Sequence, residues 1–249
     1  MIFPFDLPTW VACAAIVAGA YVIFGITAFG AALFTEPALS VFFPLEFVLP
    51  MCVLLDVSAA LALGVRFSRD ADRGELKWMA PFSLAGAIAG VTALVTLPQQ
   101  ATIIAFGIFL CGYGAYSLRT VVGPAGIARH PWAVISGFCG GATGTLFGAG
   151  APPYAIYLSR RLPDKAVLRA TLSNMVLLST AIRALVFLAG GLMLMDRVIG
   201  FLSLLPFALG GLWAGHRIQL QVSREVLLRV ISVLLLLIGV SLIIRALRS

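Results

Sequence analysis

Apolar residues come along this chain in runs of roughly twenty, separated by short polar stretches. The runs cover about 8–28, 45–66, 77–97, 99–119, 131–147, 164–190, 198–217 and 225–247. In helical form a run of about 20 residues spans about 30 Å of hydrocarbon, so the pattern predicts an all-α membrane protein. Two shorter apolar stretches, 32–43 and 151–159, follow glycine-rich breaks. The sizeable hydrophilic stretches are "RFSRDADRGELK" at 66–77 and "RTVVGPAGIARH" at 119–130. Neither is large enough to fold as a soluble unit, so residues 1–249 read as a single transmembrane domain.

The pattern also repeats. "PFSLAGAIAG" (81–90) matches "PFALGGLWAG" (206–215) at an offset of 125 residues. "FGAALFTEPAL" (29–39) aligns with "FGAGAPPYAIY" (147–157) at an offset of 118, and "PLEFVLPMCVLLD" (44–56) with "PDKAVLRATLSNM" (163–175) at about 119. Three blocks in the same order predict a duplication: repeat 1 over 8–119, a linker over 120–130 and repeat 2 over 131–247. Each repeat then holds about four helices, with a broken or re-entrant first segment.

Charge sets the orientation of the halves. The chain is 61% hydrophobic and 11% charged, with a formal net charge of +7. The basic residues cluster between apolar runs, as loops at a membrane face do, so nucleic acid is not an expected partner and the lipid bilayer is. If the glycine break returns each first segment to its starting side, the loops 66–77, 119–130, 158–169 and 217–229 share one face. That face holds Arg66, Arg69, Arg73, Lys77, Arg119, Arg129, Arg160, Arg161, Lys165, Arg169, Arg217, Arg224 and Arg229, against Arg183, Arg197, Arg245 and Arg248 elsewhere. Such asymmetry predicts inverted repeats with both termini outside, in the cell membrane. The first residues carry no basic region ahead of the apolar run, so a cleaved signal is not expected. Cys13, Cys52, Cys111 and Cys139 lie singly in apolar segments; neither a metal site nor a disulfide framework is expected.

The two breaks, Gly25–Ala32 and Gly144–Pro153, occupy matching places in the halves. Irregular backbone in hydrocarbon leaves amides and carbonyls unpaired unless protein covers it or it lines a watery cavity. Paired interruptions of this kind point to a transporter binding site. Short helices restarting near Leu33 and Pro152 aim N-terminal amides at the membrane centre, where they favour anions. Gly30, Ala31, Ala32, Gly148, Ala149, Gly150 and Ala151 let a ligand approach the backbone closely. The glycines of "GAIAG" and "GLWAG" read instead as contacts for tight helix crossing.

"FGAALFTEPAL" and "FGAGAPPYAIYL" resemble the two glycine-rich signatures of the sulfite exporter TauE/SafE family, and "RATLSNMVLLSTAIRALVFLAGGL" resembles that family's downstream helix. The first signature has Gly30-Ala31-Ala32 where the family usually has three glycines, and Glu36 stands beside the expected proline, Pro37. The resemblance implies a multi-pass transporter of sulfur-containing anions such as sulfite or sulfonates.

Polar residues at membrane depth are the remaining candidates. Asp56 and Asn174 fall at matched depth in the two halves, suggesting a shared central site. Asp56 is either a proton carrier or a carboxylic acid bonded to a neighbouring helix; Cys52, one turn earlier, reads as core. Arg183 has three readings: an oxyanion ligand through its planar fork, a partner of Glu36, or a side chain snorkelling to the outer interface. Glu36 is Arg183's partner or a second proton site. Thr27, Thr143, Thr145, Ser173 and Tyr154 can add neutral hydrogen bonds, while Trp10, Trp78, Trp132 and Trp213 read as interfacial anchors. The expected function is a secondary transporter of small anions, with sulfite or organosulfonate export first, working by alternating access and open to proton coupling. An anion channel and a non-transporting membrane subunit or assembly factor are the alternatives. No nucleotide-binding loop is seen, no cofactor is expected, and no clustered nucleophile and base suggests an enzyme. A homo-oligomer is left open.

Overall fold

The computed structural model describes residues 6–27, 31–62, 70–119, 131–218 and 236–244, with single positions 233, 246 and 247. Gly30, the linker 120–130 and the first part of the last apolar run therefore lie outside the described residues. The regular structure among the described residues is all helix, without strands: α1 (Leu7–Thr27), α2 (Ala31–Leu39), α3 (Leu45–Ala62), α4 (Arg73–Thr96), α5 (Gln99–Arg119), α6 (Pro131–Phe147), α7 (Ala151–Arg161), α8 (Lys165–Ala189) and α9 (Met195–Ile218). A terminal helix, α10, covers 236–244.

Among the described residues, five helices are long and apolar enough to cross a bilayer: α1, α3, α4, α8 and α9. By contrast α2 has 9 residues and α7 has 11, so they reach only about 14 and 16 Å, short of the hydrocarbon thickness. Large apolar side chains such as Leu84, Ile88, Leu185, Leu188 and Leu202 point outward, which suits lipid as solvent.

Caps fix two of the helix starts. The apolar pattern begins its third run at residue 77, but α4 begins at Arg73 because the Asp72 carboxylate accepts the amides of Gly74 and Glu75 at 2.8 and 3.1 Å. Polar residues 73–77, read as loop, thus form the first turn. Asp164 does the same for α8, accepting from Ala166 and Val167 at 2.7 and 3.0 Å.

Small residues bring the helices together. α4 lies along α6, and α1 lies along α9. A Cβ at Gly86 would overlap the Phe138 carbonyl and one at Gly141 the Ser83 carbonyl; one at Gly211 would overlap the Ala18 carbonyl and one at Gly215 the Val22 carbonyl. Gly86 and Gly211 are the same position of "PFSLAGAIAG" and "PFALGGLWAG", so the crossing role expected for these glycines holds at both interfaces. Backbones this close gain dispersion contacts that lipid cannot supply. The partners recur further: α3 also packs on α9 and α8 on α4, while α3 and α8 meet each other. α5 and α10 approach at Gly107 and Gly239.

Three apolar clusters result. One joins α1, α2, α3 and α9 around Val17, Tyr21, Leu39, Met51, Cys52 and Leu204. A second joins α4, α6, α7 and α8 around Met79, Ala133, Tyr154, Leu158 and Met175. The third draws on both halves, with Leu33, Leu49, Phe106, Phe147, Ala149 and Phe187, and stacks the Phe106 and Phe147 rings 4.7 Å apart.

Candidate functional site

The chain leaves helical geometry after Phe147. Gly148 adopts φ 61°, a left-handed conformation that ends a helix without Cβ strain. The Ala149 amide then donates to the Thr143 carbonyl at 3.2 Å. Thr143 Oγ1 bridges the Cys139 and Ala149 carbonyls at 2.8 and 3.0 Å. α7 restarts at Ala151, two residues before the Pro153 end of the expected break, with Pro152 and Pro153 in its first turn. Two of the amide donors expected at that N-terminus are therefore absent. In the other half α2 starts at Ala31, two residues ahead of Leu33.

Against this break lies a buried ionic cluster. Glu36 from α2 is 0% exposed and Arg183 from α8 is 4% exposed. Arg183 Nη2 donates to Asp56 Oδ2 at 2.9 Å, and Nη1 donates to Glu36 Oε1 at 3.3 Å and to the Gly144 carbonyl at 2.8 Å. Tyr21 Oη donates to Asp56 Oδ1 at 2.8 Å. Arg183 is thus a partner of both carboxylates, buried between α2, α3 and α6 instead of extending outward. Asp56 is the cluster's most open member, its side chain 17% exposed.

Two atoms of the cluster stay unmatched. Among the described residues, Glu36 Oε2 and Arg183 Nε are buried with no hydrogen-bond partner. A Cβ on Gly148 would overlap the Glu36 carboxylate, so the glycine of the break is what lets the carboxylate sit there. One guanidinium thus faces two carboxylates with a donor and an acceptor unused, where full satisfaction would be the stable arrangement for a purely structural cluster.

One helical turn before Arg183, Ser179 begins a second polar group. Tyr154 Oη lies 2.7 Å from Ser83 Oγ and donates to Ser179 Oγ at 3.0 Å. These hydroxyls satisfy one another. Gly140 is their counterpart to Gly148, since a Cβ there would strike the Tyr154 ring. A third group ties α4 to α7: Arg161 Nε donates to Glu75 Oε1 at 2.7 Å and Tyr157 Oη to Glu75 Oε2 at 2.7 Å.

Of the residues expected at the site, Glu36, Asp56, Arg183 and Gly148 come together. Ala31, Ala32 and Ala149 are buried, Ala31 and Ala149 within the apolar clusters. Gly150 sits against Gly144 and Ser179, and Ala151 opens α7. Asn174 is buried but stands about 14 Å along the α8 axis from Arg183, so the structure does not place it within the ionic cluster that Asp56 joins. Cys52 is core. Thr145 bonds within its own helix, to the Gly141 carbonyl, and Ser173 faces outward; the Thr27 side chain lies outside the described residues. Sequence reasoning missed Tyr21, Ser83 and Ser179. Ser179 carried a signal, four residues before Arg183 on one helix face; Tyr21 carried none.

No curated relative and no solved structure matches the chain. The family model described as sulfite exporter TauE/SafE matches residues 11–242, nearly the whole of the 249-residue chain. With its helices, its paired glycine-rich signatures and that match, the chain is a multi-pass protein of the cell membrane and belongs to the sulfite exporter TauE/SafE family of membrane transporters.

Proposed function

We propose that the protein is a secondary transporter of small anions, sulfite or organosulfonates first, whose substrate meets Arg183 at the glycine-rich breaks. The observation that carries this reading is a guanidinium enclosed deep in the fold beside interrupted backbone, with an unused donor at Nε. A charge at that depth is expensive and marks a substrate or ion pathway. Planar N–H pairs suit the oxygens of a sulfite or sulfonate. Small residues at 148–151 and 31–32 leave room for the anion at the backbone; Asn174 is a polar contact farther along the route.

In this reading residues 8–119 and 131–247 are inverted halves joined by 120–130, and one rocks against the other to open the site to each side in turn. The exchange of packing partners between halves supports it: α1 with α9 answers α6 with α4. Labelling of single cysteines introduced in loops 66–77, 120–130 and 158–165 tests the inversion, because all three must react from the same side. Asp56 and Glu36 are the two candidate groups for proton coupling in this cycle.

Flux of radiolabelled sulfite into proteoliposomes tests the function itself. Saturable uptake with counterflow is expected of a carrier. Non-saturating flux points to a channel, and its absence, with a fixed partner protein co-purifying, to a membrane subunit.

A further inference from the structure

Resting on the reading of this cluster as the anion site, we propose that Arg183 is handed from Glu36 to the anion, and that Glu36 takes one proton from water as it lets go. One proton and one monovalent anion are then bound together.

The geometry separates the two carboxylates. Asp56 is held at both oxygens, by Tyr21 at 2.8 Å and by Arg183 at 2.9 Å. Glu36 has a single, longer contact of 3.3 Å, made by an Nη1 that also donates to the Gly144 carbonyl at 2.8 Å. Its second oxygen is buried, without a partner among the described residues, and lies against Gly148, which offers it only a carbon-bound hydrogen. Glu36 is therefore the ligand that Arg183 loses most easily.

Charge counting supplies the proton. With both carboxylates ionised, two negative charges face one guanidinium. An anion added to Arg183 would raise the excess by one more charge in a medium that solvates it poorly. A proton on Glu36 returns the cluster to its starting charge. The groups facing Glu36 are Cys52 and Asp56 from α3 and Arg183 from α8, with Tyr21 of α1 bonded to Asp56 behind them; α6 and the 148–150 segment present the Gly144 carbonyl and the Gly148 Cα. Tyr21 already donates and Arg183 keeps its charge, so the proton falls on one of the carboxylates, and Asp56 has the stronger bonds to lose. Once protonated, Glu36 is a donor, and it joins Arg183 Nε–H in facing the oxyanion.

The test is calorimetric titration of the full-length protein in detergent with methanesulfonate, run in buffers of different ionisation enthalpy across neutral pH. Methanesulfonate does not itself take up protons there, so any proton bound belongs to the protein. The wild type should bind about one proton per anion, with affinity weakening about tenfold per unit of pH rise where Glu36 is ionised. Glu36→Gln should bind methanesulfonate with no proton uptake and no pH dependence, while Asp56→Asn should keep the uptake. Binding to the wild type without proton uptake, or uptake that survives Glu36→Gln, overturns the handover and leaves the anion site standing. If neither methanesulfonate nor sulfite binds the wild type at any pH, the anion site itself is wrong, and the handover falls with it.

Discussion

Glu36 and Tyr154 occupy the same position of the two aligned segments, "FGAALFTEPAL" and "FGAGAPPYAIY", yet their surroundings differ in kind. Each rests against a glycine where an added Cβ would overlap it, Gly148 for Glu36 and Gly140 for Tyr154. Tyr154 bonds two serine hydroxyls, so each of the three hydroxyls has a partner. Glu36 shares one arginine with a second carboxylate and leaves an oxygen unmatched. A neutral, closed group holds α4, α7 and α8 in place at low energetic risk. An ionic, incomplete group holds less securely and retains the capacity to bind something else. Of two aligned positions, one thus serves architecture and, in the proposed function, the other serves chemistry.

Substitutions should separate the two sides by size of effect. Arg183→Ala leaves two buried carboxylates without a cation and should cost about 3–5 kcal/mol; thermal unfolding should show it, and sulfite flux should be lost. Next comes Gly148→Ala, which forces a side chain into left-handed backbone and into the Glu36 carboxylate. About 1–3 kcal/mol of strain is expected, with flux falling more than stability, because the displaced group belongs to the site. Tyr154→Phe, on the neutral side, removes the link between Ser83 and Ser179 and should cost about 1–2 kcal/mol while flux stays near wild type. Ser136→Ala removes a 2.8 Å bond to the Pro153 carbonyl and should cost about 0.6 kcal/mol, with no change in flux. If Tyr154→Phe stopped flux as Arg183→Ala is expected to, the division into architecture and chemistry would be wrong.

Much of this was legible in the sequence for simple physical reasons. Run length alone located the long helices, since crossing hydrocarbon demands about twenty apolar residues. Glycine and proline marked the end of α6 and the start of α7, because backbone conformation there depends on the residues themselves. The α4 start was hidden: Asp72 caps a turn made of Arg73, Gly74, Glu75 and Lys77, and a charged first turn looks like loop when only apolarity is counted. Glu36, Asp56 and Arg183 were visible one by one as charges in apolar runs. Their assembly depends on how α2, α3 and α8 pack, with Arg183 joined to residues 147 and 127 positions away. Tyr21 was unreadable for the same reason, since an aromatic in an apolar helix looks like core until its hydroxyl finds Asp56. Asn174 lies about two and a half turns from Arg183 along α8, and matched depth in two halves does not by itself say which side chains meet.

The central claim is that the buried guanidinium beside the Gly148 break receives the anion. A density map of the protein with methanesulfonate or sulfite bound tests it most directly. The account predicts anion density within hydrogen-bond distance of Arg183 Nε, the Glu36 carboxyl moved off Nη1, and non-helical backbone at 148–150. Density for the anion elsewhere, with Arg183 still clasped by Glu36 and Asp56, would contradict it.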